Sequence, residues 1–310
     1  RQQVAGPAPV KLTMEAYPVR IASMERIDIG VIGGSGLYDL AGLEEKREVR
    51  IETPFGEPSD AYIVGILHGR RVAFLPRHGR GHTILPTELN FRANIYGFKI
   101  MGARAIISVS AVGSLREAHH PMDFLLPDQF IDRTRNRVST FFGNGLVAHI
   151  SFSDPVCSSL CDVVQEASGK LDVNLKRGGT YVNMEGPAFS TRAESNLYRS
   201  WGADLIGMTN LQEAKLAREA EICFATIAMV TDYDCWHEEE EDVTVENLLG
   251  YLRRNSENAK ALISETIRII DPDIDCPCRH ALASAIMTDR DRVPAKTLED
   301  LKPLVGKYFA

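Results

Sequence analysis

Short apolar runs rich in β-branched residues alternate along this chain with longer segments of helical periodicity. The first run, residues 28–34, ends in a glycine-rich turn and has no helical period, which predicts a buried core strand. Further strands are predicted at residues 61–67, 71–76, 104–110, 123–131, 179–184, 204–208 and 222–230. Helices are predicted at residues 86–101, 155–170, 192–201, 211–220 and 243–270. This alternation predicts an α/β fold, in which a multi-stranded sheet is flanked by helices.

The chain has 310 residues, of which 44% are hydrophobic, and this is enough to bury one large core. Residues 24–270 are predicted to form a single catalytic domain. Residues 1–23 show no apolar periodicity and are interpreted as a tail outside the fold. A break rich in Pro and Asp at residues 271–277 begins a predicted C-terminal extension, residues 271–310.

The charge and hydropathy of the chain point to a small-molecule partner. A net charge of −7 argues against nucleic-acid binding, because a duplex requires a positive field facing its phosphates. No apolar run reaches the length of about 18 residues that a membrane span needs. A cytoplasmic protein without nucleic-acid or membrane partners is therefore predicted.

The cysteines are too few for a secreted disulfide scaffold, since the whole chain contains six. Most are expected to be reduced and packed in the core. Cys276 and Cys278 are separated by one proline, and this spacing leaves three interpretations open. The two can be free thiols, a strained disulfide, or metal ligands together with His280.

Two loops that follow predicted strands have the composition of anion-binding sites. Gly33, Gly34 and Gly36 surround Ser35, so backbone N–H groups and one hydroxyl could converge on a phosphate, although a plain tight turn explains the glycines equally well. Residues 77–82 hold Arg77, His78 and two further potential cations. Arginine binds phosphate through paired charge-assisted bonds, and imidazole can add another. The alternatives for residues 77–82 are a solvated basic loop or a metal site at its two histidines.

Three further strand ends present polar groups. Residues 110–114 offer hydroxyls and free amides, residues 183–190 offer a carboxylate, an aromatic ring and a hydroxyl, and residues 232–234 offer two carboxylates. Ligands of open α/β sheets bind beyond the carboxyl ends of the strands, so the loops at residues 33–36, 77–82 and 110–114 are expected to converge on one site. Two neighbouring carboxyls can protonate or orient a heterocycle. Helix caps, a core turn and a surface turn are the respective structural alternatives.

Taken together and in order, these motifs resemble the trimeric purine nucleoside phosphorylase family, and within it the members that cleave 5′-methylthioadenosine. The resemblance covers residues 28–270 and includes IGGSGL at 32–37, RHGRGHTILP at 77–86, SAVGSLRE at 110–117, MEGPAFSTRAES at 184–195, WGADLIGMTN at 201–210 and TDYDCW at 231–236. It implies a single domain with a central mixed, twisted β-sheet flanked by helices. It also implies release of adenine by inorganic phosphate, with the sugar becoming 5-methylthioribose 1-phosphate.

The resemblance assigns residues to each part of the substrate. The phosphate-binding residues implied are Ser35, Arg77, His78, Ser110, Ala111 and Thr209. The nucleoside-binding residues implied are His149, Met208, Phe189, Ser190, Asp232, Tyr233, Asp234, Val245 and Leu249. Asp232 and His78 are the implied catalytic residues, with Asp232 as the acid for departing adenine. Phosphate is a co-substrate, and no metal or organic cofactor is expected.

Two positions bear on substrate choice within the family. Relatives that cleave 6-oxopurine nucleosides carry a glutamate and an asparagine where this chain has Ser190 and Asp232. A carboxylate accepts from a 6-amino group and, when protonated, donates to N7, so Asp232 favours adenine. Val245 replaces a hydroxyl-binding histidine and favours a methylthio group. The family also implies a homotrimer, with a dimer of trimers as the alternative, in which His149 reaches a neighbouring subunit.

Overall fold

The structure is a computed structural model, which describes residues 26–34, 40–237, 245–273 and 276–309, with the side chains of 245–252 excepted. Eleven strands form one sheet in this part of the chain. They are β1 Ile29–Gly33, β2 Glu44–Val49, β3 Tyr62–Leu67, β4 Arg70–Pro76, β5 Ala105–Ser114, β6 Phe124–Leu126, β7 Gln129–Arg133, β8 Leu175–Arg177, β9 Thr180–Met184, β10 Leu205–Gly207 and β11 Cys223–Asp232. The helices are α1 Phe91–Ile100, α2 Ser158–Ser168, α3 Arg192–Ser200, α4 Asn210–Glu219, α5 Val245–Ile269 and α6 Ala295–Phe309.

The sheet is mixed, as predicted. Its order along the main path is β2-β3-β4-β1-β5-β10-β9-β7, and β11, β6 and β8 continue from the other edge of β5. Strands β4, β1, β5 and β11 run parallel, so their carboxyl ends lie at the same side of the sheet. The carboxyl ends of β1 and β4 therefore lie side by side, whereas residues 110–114, which were predicted to be a loop after a strand, form the last part of β5.

Helices cover both faces of the sheet and explain why β1 is buried at every position. One apolar core includes side chains from α1, α4 and α6, and the other includes side chains from α2 and α5. Helix α3 begins with a capping box, in which the Thr191 hydroxyl accepts from the Glu194 amide and the Glu194 carboxylate accepts from the Thr191 amide. None of the helices described is both long and apolar enough to cross a membrane.

The structure differs from the sequence-based prediction at several elements. The run 123–131 is two strands, β6 and β7, because Pro127 interrupts it and the chain changes neighbours there. The predicted helix at 86–101 begins only at Phe91, after a turn that ends with Asn90, whose side chain accepts from the Ala93 amide. Strands β2 and β8 and helix α6 were not predicted. Helix α6 joins the core beside α1, where the Tyr96 hydroxyl donates to the Asp300 carbonyl at 2.6 Å.

Candidate active site

An opening in the sheet lies along one edge of β5. On that edge, β1 pairs with residues 105–108, and β10 pairs only with Gly113 and Ser114. The residues between them, 109–112, have no strand neighbour on this side, whereas β11 pairs along the whole opposite edge. Such a divergence of neighbouring strands is where α/β sheets bind their ligands. Ser110 and Ala111, both predicted to contact phosphate, belong to this segment.

Arg77 lies directly after β4 and points into the opening. Its side chain is only 3% exposed, and its Nη1 donates to the carbonyl of Val109 at 3.1 Å. Its Nε and Nη2 donate to the two carboxylate oxygens of Glu213 at 2.5 and 3.1 Å. Ser108 accepts from Nη2 at 2.6 Å and donates to Glu213 at 2.6 Å. The guanidinium is thus fixed on the carbonyl that the strand divergence leaves unpaired.

The sequence suggested that Arg77 binds phosphate through two parallel hydrogen bonds, but in the structure its bidentate partner is Glu213. A buried guanidinium requires such a partner, because an uncompensated buried charge is costly. The bonds to Glu213, Ser108 and Val109 use four of the five guanidinium N–H groups. The remaining Nη1 hydrogen is available to an anion. The two bonds to Glu213 fix the orientation of the guanidinium and therefore the direction in which this hydrogen points.

His78 is the next residue and is held as a neutral imidazole. Its Nδ1 lies 2.8 Å from the carbonyl of Ile84, an acceptor, so Nδ1 carries the ring proton and Nε2 carries the lone pair. Burial, assisted by the positive charge of Arg77, lowers the pKa of His78 to about 4. The ring stacks on His82 at a centroid distance of 4.3 Å. Nε2 of His78 can therefore accept a hydrogen bond from a ligand.

Ser110 lies at the opening, and the chain that leads to Thr209 runs back towards it. The pairing of Ile206 with Gly113 makes β10 antiparallel to β5, so the chain after β10 returns towards Ser110. Thr209 is buried at the start of α4, and its side chain makes no capping hydrogen bond. The Ser110 hydroxyl lies 3.5 Å from the hydroxyl of the buried Tyr181. Two hydroxyls and the first amides of α4 are thus close to the edge that carries Arg77.

Gly207 allows the end of β10 to lie directly against the Tyr181 side chain. A Cβ atom at position 207 would lie 1.9 Å from the Tyr181 hydroxyl oxygen, so no other residue fits without moving that ring. The following residue, Met208, has its carbonyl fixed by the side-chain amide of Asn183 at 3.1 Å and by Arg137. Gly207 and Asn183 therefore determine where Met208 and Thr209 lie.

Asp232 and Asp234 form a carboxyl pair at the end of β11. Asp232 accepts from the Thr231 hydroxyl at 2.7 Å and from the Asp234 amide at 2.8 Å. Burial raises the pKa of Asp234, and the charge of Asp232 adds to this effect. Both side chains pack on Gly113 of β5, which brings the pair to the same strand that carries Ser110.

The other predicted base-binding residues, Phe189, Ser190 and Tyr233, differ in exposure and in the contacts they make. Phe189 is 82% exposed beside the strand end and has an accessible ring face. Ser190 is linked to the turn after β11, because Cys235 donates to its carbonyl at 3.3 Å. The Tyr233 side chain is only 8% exposed and packs between His237 and Trp236. Tyr233 thus holds the turn between the two aspartates rather than presenting its ring to a ligand.

Some predicted residues are not brought to this site within one chain. His149 is exposed, and its amide donates to the Ala285 carbonyl at 2.8 Å on the C-terminal segment. No contact joins it to the carboxyl pair among the described residues. Ser35 and the side chains of Val245 and Leu249 lie outside the described part of the structure.

Sequence reasoning missed the polar residues that position the site. Glu213, Ser108, Asn210 and Tyr181 are all buried and connect Arg77, Ser110 and α4. The Asn210 side-chain amide donates to Ser108 at 2.8 Å. One signal was present in the sequence, since Asn210 and Glu213 are polar residues one turn apart at the start of a helix that follows a strand.

The chain belongs to the phosphorylase superfamily, whose family model matches residues 28–268. Curated relatives include an S-methyl-5′-thioadenosine phosphorylase of Koribacter versatilis, 62% identical, over 91% of this chain and 97% of the relative. Another, from Geobacter sulfurreducens, carries the same name and is 57% identical over 92% of this chain and 100% of the relative.

Solved structures agree with this membership. A methylthioadenosine phosphorylase from an antarctic soil metagenomic library superposes with a TM-score of 0.87 at 48% identity, covering 90% of this chain and 99% of that one. A mutant adenosine/methylthioadenosine phosphorylase of Schistosoma mansoni, solved with methylthioadenosine, gives a TM-score of 0.73 at 33% identity, covering 79% of this chain and 93% of that one. The fold predicted from the sequence is thereby confirmed.

Proposed function

We propose that this protein cleaves 5′-methylthioadenosine with inorganic phosphate and releases adenine and 5-methylthio-α-D-ribose 1-phosphate. The observation that carries the proposal is the carboxyl pair Asp232 and Asp234, which packs against Gly113 of β5, the strand that carries Ser110 of the candidate anion site. The relatives reported above support the substrate, because the curated proteins and the solved structures named there are phosphorylases of methylthioadenosine.

The anion site would hold phosphate as the nucleophile. Arg77 would donate its remaining Nη1 hydrogen, and the hydroxyls of Ser110, Thr209 and Ser35 would donate further bonds. The Nε2 of neutral His78 would accept a hydrogen bond from the P–OH group of HPO4²⁻, which leaves the other phosphate oxygens free to approach C1′. Holding both reactants in place lowers the barrier mainly through orientation and electrostatic stabilisation. Phosphate enters as a co-substrate in this scheme.

The carboxyl pair would recognise and protonate the leaving base. The edge of adenine presents N7, an acceptor, and the 6-amino group, a donor, so a pair that shares one proton matches both. A phosphate oxygen forms a bond to C1′ while the C1′–N9 bond breaks and its electron pair moves to adenine. The proton held by Asp232 and Asp234 moves to N7. Asp232 is the proposed contact to N7.

The remaining residues would enclose the nucleoside. Phe189 would stack on the purine, Ser190 would contact its edge, and Met208 would lie beneath the ribose. Val245 and Leu249 would surround the methylthio group. His149 would complete the pocket of a neighbouring subunit in a trimer, because its side chain is exposed and no described contact joins it to the carboxyl pair of its own chain.

The test is release of free base from methylthioadenosine, adenosine, inosine and methylthioinosine, each with and without phosphate. We expect phosphate-dependent adenine release that is fastest with methylthioadenosine. Asp232→Asn should lower adenine release by about 100-fold or more, since general acid catalysis contributes on that order. As a matched control, Asp154→Asn changes an exposed aspartate outside the site and should leave the rate unchanged. Preference for the 6-oxo nucleosides would contradict the role of the carboxyl pair.

A further inference from the structure

Four cysteines that are distant in sequence meet at one buried point. Cys157 precedes α2, Cys223 begins β11, and Cys276 and Cys278 flank Pro277 in the C-terminal segment. Their Sγ atoms all lie within 4.8 Å of one another. Their residues are between 1% and 7% exposed. The other two cysteines, Cys161 and Cys235, are outside this cluster.

The geometry is close to that of a tetrahedral metal site. Zinc bound by four thiolates has Zn–S distances of about 2.3 Å, which places the sulfur atoms about 3.8 Å apart. In this cluster the Cys157 and Cys276 sulfurs are 3.4 Å apart, and no pair exceeds 4.8 Å. Adjustments of less than about 1 Å would therefore bring all four thiols into a zinc coordination sphere.

The backbone that carries the thiols is fixed by the fold. The Cys157 amide donates to the Phe224 carbonyl at 2.8 Å, and the Cys223 amide donates to the Arg104 carbonyl at 3.0 Å. The Arg279 amide donates to the Cys276 carbonyl at 2.9 Å and closes the turn around Pro277. Such anchoring holds metal ligands in place before an ion arrives.

Positive groups next to the cluster suit the charge of a tetrathiolate site, which is −2 with a divalent ion. Arg104 and Arg279 line a cavity together with Cys157 and Cys223. The Nε atom of Arg279 is buried and has no hydrogen-bond partner among the described residues.

The convergence of four sulfurs favours a metal over two disulfides. Two disulfides require only two close pairs of sulfurs, whereas here all pairs are close. All four cysteines are free thiols in the structure. From this arrangement we propose that Cys157, Cys223, Cys276 and Cys278 bind a structural Zn²⁺. Four thiolates in tetrahedral geometry suit this ion, which has no redox chemistry of its own.

The position of the site indicates a structural role. Cys223 and Asp232 are the two ends of β11, so about 30 Å of strand separates the cluster from the carboxyl pair. The four ligands connect α2, the sheet and the segment that leads to α6. Zinc would therefore fasten the C-terminal segment to the core and leave the chemistry at the other end of the sheet unaffected.

The first test measures the metal content of the full chain, purified without a histidine tag. We expect about one zinc per chain by elemental analysis, because the site has four protein ligands and no open position. Chelation under conditions that keep the chain folded, followed by Co²⁺, should give the intense visible absorption of a tetrahedral cobalt tetrathiolate. In the zinc-bound protein the four cluster thiols should resist alkylation, and they should react after chelation.

Variants identify the ligands. Cys276→Ser and Cys278→Ser should each lose the zinc and lower the melting temperature, while kcat per folded chain at moderate temperature stays the same. Cys161→Ser is the matched control, since Cys161 is buried one turn further along α2 but lies outside the cluster. It should retain the zinc. If the cluster variants fail to fold, the zinc content and cobalt spectrum of the unaltered chain still decide the question.

Three results would overturn the proposal. They are a metal-free chain whose cluster thiols react with alkylating reagents, disulfides detected among the four cysteines by mass spectrometry, and iron in place of zinc at the same stoichiometry. None of them bears on methylthioadenosine cleavage, which the base-release assay tests separately.

Discussion

The Glu213→Gln variant tests whether Glu213 positions Arg77. In the structure, Glu213 accepts two hydrogen bonds from Arg77 at 2.5 and 3.1 Å, and both residues are almost fully buried. The substitution keeps the size of the side chain but removes its charge. Arg77 then remains buried without a counter-ion, and Ser108 loses the carboxylate to which it donates.

The expected loss of stability follows from that burial. Breaking a buried ion pair by neutralising one partner costs about 3–5 kcal/mol. For a chain of this size, each kcal/mol corresponds to about 2 °C, so the melting temperature should fall by about 6–10 °C. Saturating phosphate should recover part of this loss, because the anion binds the folded state and pairs with Arg77. The value of kcat/KM should fall by about 100-fold, since the Arg77 guanidinium is no longer held in the orientation that binds the anion.

Glu219→Gln is the matched control for differential scanning calorimetry at pH 7. Glu219 is a buried glutamate on the same helix, but it accepts from Thr140 and the Phe141 amide and makes no ion pair with any residue that the structure describes. Burial raises its pKa to about 7, so an amide replaces a side chain that is already partly neutral and should cost little stability. A Glu213→Gln chain as stable as Glu219→Gln, with an unchanged kcat/KM, would refute the positioning role.

Three further predictions concern other parts of the site. Gly207→Ala should lower the free energy of unfolding in urea by about 1–3 kcal/mol, because its Cβ would lie 1.9 Å from the Tyr181 hydroxyl oxygen. Adding Tyr181→Phe should restore part of this loss, and no recovery would exclude the clash as its cause. The pKa of Asp234 is raised, and its proton is lost as pH rises, so kcat/KM should decline on the alkaline side of the pH profile. Asp234→Asn should remove that decline, and a variant with the same pH profile as the unaltered chain would exclude Asp234 as the group that holds the proton. The pKa of His78 is lowered to about 4, and a bound phosphate anion should raise it, so the protein should take up a proton on binding phosphate between pH 4 and 6.5. Calorimetry in buffers of different ionisation enthalpy would detect this uptake, and equal uptake by His78→Gln would assign the proton to another group.

Local patterns predicted those elements whose signal is contained in a few neighbouring residues. Strands β1 and β11 have continuous apolar runs, so these strands were found from the sequence. Strand β2 was missed because it is an exposed, highly charged edge strand without an apolar run. Strand β8 has three residues and depends on its pairing with β6, which no local pattern contains.

The sequence by itself determined the fold class, the residues that follow each strand, and the chemical types available at the site. It did so because strand period, turn residues and polar groups at strand ends are local properties of the chain. Only the tertiary structure decided which groups meet. It paired Arg77 with Glu213, turned the chain after β10 back towards Ser110, and brought Cys157 to Cys276 across 119 residues. Such contacts depend on how strands diverge and helices pack, and residues distant in sequence acquire their partners only when the sheet is assembled.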